Sequence, residues 1–217
     1  MALRIIGGKY RRRHLKTPHG KTTRPYTDRV RQIVFDRLEG QIEGAKIADV
    51  FSGVGTMGME SISRGAASCV FIEGDSDVHE SLTENVNLIL NGEPTVCWKT
   101  NIHRTSFRPK NSEECLPYDL MFFDPPYIQC PLMNDGGVLG KALDRMAKPS
   151  VSTDQASVIL RTPLRFDFSE TPAWKIEVTW RISTMKIYTL RKTAFIEAHP
   201  PEDAESSDAQ EDETDDR

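Results

Sequence analysis

Two short segments of the chain hold residues whose types and spacing could do chemistry. The first is Asp124-Pro125-Pro126-Tyr127, which follows the apolar run Leu120-Met121-Phe122-Phe123. Two consecutive prolines donate no backbone hydrogen bonds and fix a rigid corner, so the carbonyls of Asp124 and Pro125 can face a cleft. A carboxylate, a free carbonyl and an aromatic face around one spot suit an exocyclic amino group on a flat base. Asp124 and the Pro125 carbonyl accept its two hydrogens, and Tyr127 stacks on the ring. With both hydrogens held, the nitrogen lone pair is left for an electrophile, which is what methyl transfer to an aromatic amine needs. An isolated Asp-Pro-Pro is more commonly a capped turn; here its place after an apolar strand, in one chain with the second segment, favours the chemical reading.

That second segment is Asp49-Val50-Phe51-Ser52-Gly53-Val54-Gly55-Thr56-Met57-Gly58. Gly53 and Gly55 allow a tight turn and a close approach of backbone to ligand, and the helix that follows offers free N–H groups. Gly53, Gly55 and Gly58 also satisfy G-x-G-x-x-G, and Glu73 could hold ribose hydroxyls, so a dinucleotide site fits this segment equally well.

The elements that must position these residues follow from periodicity. From Lys46 onward strands and helices alternate, the signature of a mostly parallel sheet built from βαβ units. Strands are expected at 46–51, 68–73, 95–99, 118–123 and 157–161, and helices at 56–63, from Asp75 or Ser76 to about 91, and at 138–147. Residues 100–117 are polar and irregular. Trp174, Ile176, Val178, Trp180 and Ile182 alternate with polar residues, and 185–196 is again extended, which predicts an antiparallel hairpin at the sheet edge. Ahead of the sheet, Leu3 to Leu15 reads as a short strand, a Gly-Gly turn and a basic strand or loop. A helix capped by Thr27 or Asp28 follows, with Val30, Ile33, Val34 and Leu38 on one face and Arg29, Arg31 and Arg37 left for the others.

Charge divides the 217 residues into three. Residues 1–37 hold eleven basic and two acidic side chains, 38–200 sixteen and twenty-one, and 201–217 one and nine, which together give the net charge of -4. We therefore expect a basic arm and helix over 1–40, a catalytic domain over 41–198, and an acidic, disordered tail over 199–217, whose composition cannot repay the entropy of ordering. Nine net positive charges interleaved with Tyr10, His14 and Tyr26 form a footprint for phosphates. Arg11, Arg12 and Arg13, with Lys9, Arg24 and Arg29, are the candidates for nucleic-acid contact. No apolar run approaches the roughly 20 residues of a membrane span, and no secretory leader is evident, so a cytoplasmic protein is expected. Cys69, Cys97, Cys115 and Cys130 are too scattered for a zinc ribbon or a disulfide framework and are expected to be reduced, mostly core residues. Metal ligation is not expected.

Five segments in order resemble the RsmD family: Arg4-Ile5-Ile6-Gly7-Gly8-Lys9-Tyr10-Arg11, Arg24-Pro25-Tyr26-Thr27-Asp28-Arg29-Val30-Arg31, Phe51 to Glu60, Ser63-Arg64-Gly65-Ala66, and Asp124-Pro125-Pro126-Tyr127. That family comprises bacterial S-adenosylmethionine-dependent enzymes that methylate the N2 amino group of a guanosine in small-subunit (16S) ribosomal RNA. The resemblance implies an α/β, Rossmann-like class I methyltransferase fold: a mostly parallel seven-stranded sheet with an antiparallel C-terminal hairpin and a basic N-terminal extension. It also implies that Asp49, Phe51, Gly53 and Gly55 line the methionine side of the cofactor, that Glu73 takes its ribose, that Asn101 lies near its adenine, and that Asp124 to Tyr127 hold the guanine. The expected partner is small-subunit RNA or an assembling subunit, met by a monomer. Against this stand a DNA adenine or cytosine amino-methyltransferase, a nicotinamide-dependent oxidoreductase, and a non-catalytic RNA-binding assembly factor.

Overall fold

In a computed structural model of the chain, residues 3–18 and 27–194 are described. Arg24 and the acidic tail lie outside them. Seven strands form a single sheet in the order β3-β2-β1-β4-β5-β7-β6. They are β1 (Lys46–Val50), β2 (Ser68–Glu73), β3 (Thr95–Lys99), β4 (Tyr118–Phe123), β5 (Ser152–Pro163), β6 (Trp174–Ile182) and β7 (Met185–Lys192). The first five run parallel, and β7 is antiparallel to both β5 and β6.

The central strands are apolar without interruption because both of their faces are covered. On one face, Ile47, Cys69, Phe71, Leu120, Phe122 and Ile159 pack under α1 (Asp28–Arg37), α2 (Thr56–Ser63) and α3 (Ser76–Ile89). On the other, Ala48, Val50, Val70, Ile72, Met121, Phe123, Val158 and Leu160 pack under α4 (Val138–Met146) and the 3-10 turn Tyr127–Met133. Helix starts follow local chemistry: the Thr27 hydroxyl accepts from the Val30 N–H, and Asp75 accepts from the N–H groups of Asp77 and Val78. α2 stops before Gly65, which takes the left-handed conformation (φ +99°) expected of a helix-terminating glycine.

Three features depart from the sequence reading. Arg31 lies fully buried instead of on an outer face of α1, where it donates to the Arg4 carbonyl at 2.6 Å and to Asp28 at 2.8 Å. Burial lowers its pKa, which the nearby Glu60 and Asp28 carboxylates oppose. β5 begins five residues earlier than expected, at Ser152. In β6 the register shifts between Ile176 and Val178. This bulge turns the alternation over, so Trp174 and Ile176 face one core while Trp180 and Ile182 face the other. The four cysteines are free thiols; Cys69, Cys115 and Cys130 are buried and Cys97 is half-buried.

The N-terminal arm is a docked hairpin. Its two limbs exchange backbone hydrogen bonds, Ile5 N–H to the Arg13 carbonyl and Leu15 N–H to the Leu3 carbonyl, each 2.9 Å. Ile5 and Leu15 are buried in the core beneath.

Candidate active site

The residues singled out for chemistry gather where β1, β2, β3 and β4 end, the edge at which open α/β sheets bind ligands. Between β1 and α2 the chain bends through three left-handed residues, Phe51 (φ 61°), Gly53 (φ 56°) and Gly55 (φ 91°). The glycines do different work. A Cβ on Gly55 would lie 2.7 Å from Leu82 Cδ1, and one on Gly58 2.3 Å from Phe71 Cε1, so these two let α2 close onto α3 and β2. A Cβ on Gly53 would meet nothing within 4 Å, which leaves open space against bare backbone.

Two carboxylates brace this bend. Asp49 Oδ2 accepts from Gly58 N–H at 2.8 Å, inside the first turn of α2. Glu73 Oε2 accepts from Gly53 N–H at 2.9 Å, and Oε1 accepts from the N–H groups of Gly74 and Asp75, each at 2.8 Å. Three of the roughly four lone-pair positions of Glu73 are thus engaged by backbone, so it shapes the loop as well as facing the cleft. Burial pushes the Asp49 carboxyl up to about 8; the Gly58 hydrogen bond opposes this, and the carboxylates of Asp124 and Glu73 add to it.

Asp124 follows β4 directly. Its N–H bonds the Val50 carbonyl at 3.2 Å, which holds it beside the glycine-rich bend. Pro125 is buried, Pro126 exposed and Tyr127 half-buried at the start of the 3-10 turn. The ring of Phe51 meets Phe123 edge to face at 5.4 Å, joining the two segments through an aromatic contact. Asn101 stands exposed just beyond β3, whose Lys99 is the register partner of Glu73; its side chain accepts from the His103 N–H at 3.0 Å. Ile128, 89 % exposed, adjoins Tyr127 at the rim.

One residue that the sequence reading did not single out is Arg161, at the end of β5. Its Nε donates to Asp124 Oδ1 at 2.6 Å, and its guanidinium carbon lies 5.6 Å from the centre of the Tyr127 ring. Burial raises the Asp124 pKa, and Arg161 opposes the rise. A signal was present: in Val158-Ile159-Leu160-Arg161 a lone charge follows three apolar residues late in a strand that runs to the ligand-binding edge.

The basic candidates lie elsewhere. The hairpin turn docks on the last residue of α2: Lys9 N–H donates to the Ser63 carbonyl at 2.7 Å and Tyr10 N–H to the Ser63 hydroxyl at 2.9 Å. Lys9 is paired with Glu93 at 2.6 Å, just before β3 begins, and that bond together with Tyr10 pushes its ammonium up to about 12. Arg11, Arg12 and Arg13 are exposed at this turn, at the opposite sheet edge from Asp124, and Arg29 is exposed in the first turn of α1. From the turn the chain runs back toward the bend, where the Asn85 side chain bonds both the N–H and the carbonyl of Lys16 and reaches the Val54 carbonyl at 3.4 Å.

Comparison with known proteins agrees with this architecture. The family described as Conserved hypothetical protein 95 matches residues 3–192. The Escherichia coli protein named ribosomal RNA small subunit methyltransferase D is 30 % identical over 175 residues, covering 80 % of this chain and 82 % of that protein. Among solved structures, Escherichia coli yhhF superposes with a TM-score of 0.69 at 26 % identity, over 88 % of this chain and 98 % of the other. A Pyrococcus abyssi tRNA (uracil-54, C5)-methyltransferase, solved with S-adenosyl-L-homocysteine, shares the fold at a TM-score of 0.56 and 15 % identity, covering 88 % of this chain and 44 % of its own. The sheet order, the glycine-rich bend, the Asp-Pro-Pro-Tyr corner and these matches place the chain in the family of the small-subunit ribosomal RNA methyltransferase D proteins.

Proposed function

We propose that the protein transfers a methyl group from S-adenosylmethionine to the N2 amino group of a guanosine in small-subunit ribosomal RNA. The observation that carries this reading is a single sheet edge on which a glycine-rich bend braced by Asp49 and Glu73 adjoins a half-buried carboxylate followed by two prolines and a tyrosine. The RNA class is supported by membership in the family and by the name of the Escherichia coli relative.

The residues fit the cofactor. Crowding of Asp49, Glu73 and Asp124, with Asp49 pushed up to about 8 mainly by its burial, is relieved by a ligand that brings positive charge. Open space over Gly53 admits that ligand close to the backbone. Asp49, Phe51, Gly53 and Gly55 would hold its methionine part, Glu73 its ribose and Asn101 its adenine. When bound, the cofactor supplies a methyl group already activated on a cationic sulfur. The work left to the chain is positioning and charge complementarity.

Asp124 accepts from the amino group and orients its lone pair, the Pro125 carbonyl takes the second hydrogen, and the Tyr127 ring holds the base plane; the proton that the methylated nitrogen must then lose passes to the Asp124 carboxylate and on to water. Because the target amine of a structured RNA is obstructed by stacking, the nucleotide is presented from a loop or flipped outward. The exposed Ile128 beside Tyr127 gives the rim an apolar surface for that presentation.

Mass-spectrometric mapping of small-subunit RNA from cells with and without the gene tests the reading. Loss of one N2-methylguanosine is expected, and an unchanged map would overturn it. In vitro, Asp124→Ala should abolish methylation while calorimetric affinity for S-adenosylhomocysteine stays within a few fold; normal turnover by that variant would remove Asp124 from the mechanism.

A further inference from the structure

Arg161 connects the two residues that are to hold the base. Leu160 is the register partner of Phe123, so Arg161 and Asp124 are the next residues at the ends of adjacent strands. Arg161 itself remains in the sheet, paired with Ile187 of β7, and its backbone is therefore fixed. Its side chain is 8 % exposed and that of Asp124 16 %. From this anchored position Nε grips Asp124 Oδ1 at 2.6 Å, while the guanidinium lies 5.6 Å from the Tyr127 ring centre, within cation-π range.

A pair so nearly buried contributes little net stability, because desolvation offsets the attraction and an apolar pair of similar volume would serve the fold as well. Its distinctive product is geometry. We propose that Arg161 is the positioning residue of the methyl-transfer site: by gripping Asp124 and lying over Tyr127, it sets the spacing between the carboxylate that accepts the amino hydrogens and the ring that stacks on the base. The proposal rests on reading Asp124 to Tyr127 as the holder of the methylated base.

The surroundings of Asp124 give the role a measurable signature. Asp49 from β1 and Glu73 from β2 bring negative charge to this edge, the Cys130 thiol of the 3-10 turn senses both Asp124 and Arg161, and Arg161 from β5 supplies the opposing positive charge. Without that charge nothing opposes the effect of burial on Asp124, and the carboxyl stays protonated to higher pH.

The test uses the full chain with small-subunit RNA and S-adenosylmethionine, measuring kcat and KM across pH together with thermal unfolding. For Arg161→Gln, kcat should fall about 100-fold, the scale of a misplaced reacting group, with KM for S-adenosylmethionine within a few fold. Its acid limb should move to higher pH. Arg161→Lys keeps the charge but loses the planar fork, so it should keep the wild-type acid limb while kcat stays about 10-fold low. Folded variants with wild-type kcat overturn the proposal, and so does a loss of kcat with the acid limb of Arg161→Gln unmoved, which marks a merely structural pair. If Arg161→Gln does not fold, Arg161→Lys decides, and wild-type kcat in it overturns the proposal. A wild-type protein that fails to methylate small-subunit RNA in the same assay overturns the functional reading itself, and the proposal with it.

Discussion

Asp49 and Asp124 end neighbouring strands, and burial acts on both, yet they differ in what opposes it: a backbone N–H for Asp49, an arginine for Asp124. The difference makes Asp49 a proton-binding site of the folded protein. Its folded pKa of about 8 lies above the value near 3.9 of an unfolded aspartate, so the native state binds more protons between the two. Stability from this group is complete below the lower value and is lost as pH rises toward the upper one. Melting temperature should therefore lose this contribution between about pH 4 and about pH 8 in the wild type, and fall less over that window in Asp49→Asn, whose side-chain oxygen can still accept from Gly58. Equal slopes would show that Asp49 does not titrate there. Asp49 and Asp124 were legible in the sequence because each lies where an apolar strand runs out into Gly or Pro punctuation. Arg161 was legible only as a lone charge late in an apolar strand, since its meaning depends on β5 lying beside β4 and on a partner 37 residues away.

Among the elements, the arm differs most from its sequence appearance. Eleven basic residues over 1–37 read as a basic extension with a footprint for phosphates, and nothing in that reading foretells that its Gly-Gly turn is docked on the end of α2. Glu60, fully buried, accepts from the Ile6 N–H at 2.8 Å and pairs with Arg64 at 2.7 Å, and the Ser63 hydroxyl donates to the Gly7 carbonyl at 2.6 Å. A Cβ on Gly8, at φ +71°, would sit 1.7 Å from the Ser63 carbonyl oxygen. Gly8→Ala should accordingly cost about 1–3 kcal/mol in denaturant unfolding and release the hairpin to proteolysis. Gly40→Ala is the control, since Gly40 has φ +81° but nothing within 4 Å of its added Cβ, so it should retain an intact hairpin. Equal protease resistance in both variants would refute the docking argument. The hairpin limbs and the α1 cap could be read from local residues. The docking surface could not, because Glu60 and Ser63 lie more than fifty positions away in the chain. Arg31 was misread for the same reason, as its partner carbonyl on Arg4 is 27 residues distant.

At the scale of the molecule, the arginines of the hairpin turn and Asp124 occupy opposite edges of one sheet. The six residues of β4 place about 20 Å between those edges at roughly 3.3 Å per residue. An RNA that meets Arg11, Arg12 and Arg13 therefore does so several phosphates from the reacting base. Replacing all three with Gln should raise KM for RNA and flatten its salt dependence by about 0.7–0.9 in log–log slope per lost contact, with kcat unchanged. An unaltered KM at every salt concentration would remove the arm from substrate binding.

The position of β7 carries a consequence for how the protein comes into being. Although last in sequence, β7 lies between β5 and β6. Until Met185–Lys192 emerges, β5 keeps an open border and β6 has no neighbour, so completion of the sheet is deferred to the final strand of the domain. A chain halted inside β7 would present two unsatisfied strand borders at once, the kind of surface that recruits other chains. The same late strand backs Arg161 through Ile187, so the grip on Asp124 is assembled at the close of folding, and an incompletely folded protein lacks a finished candidate site.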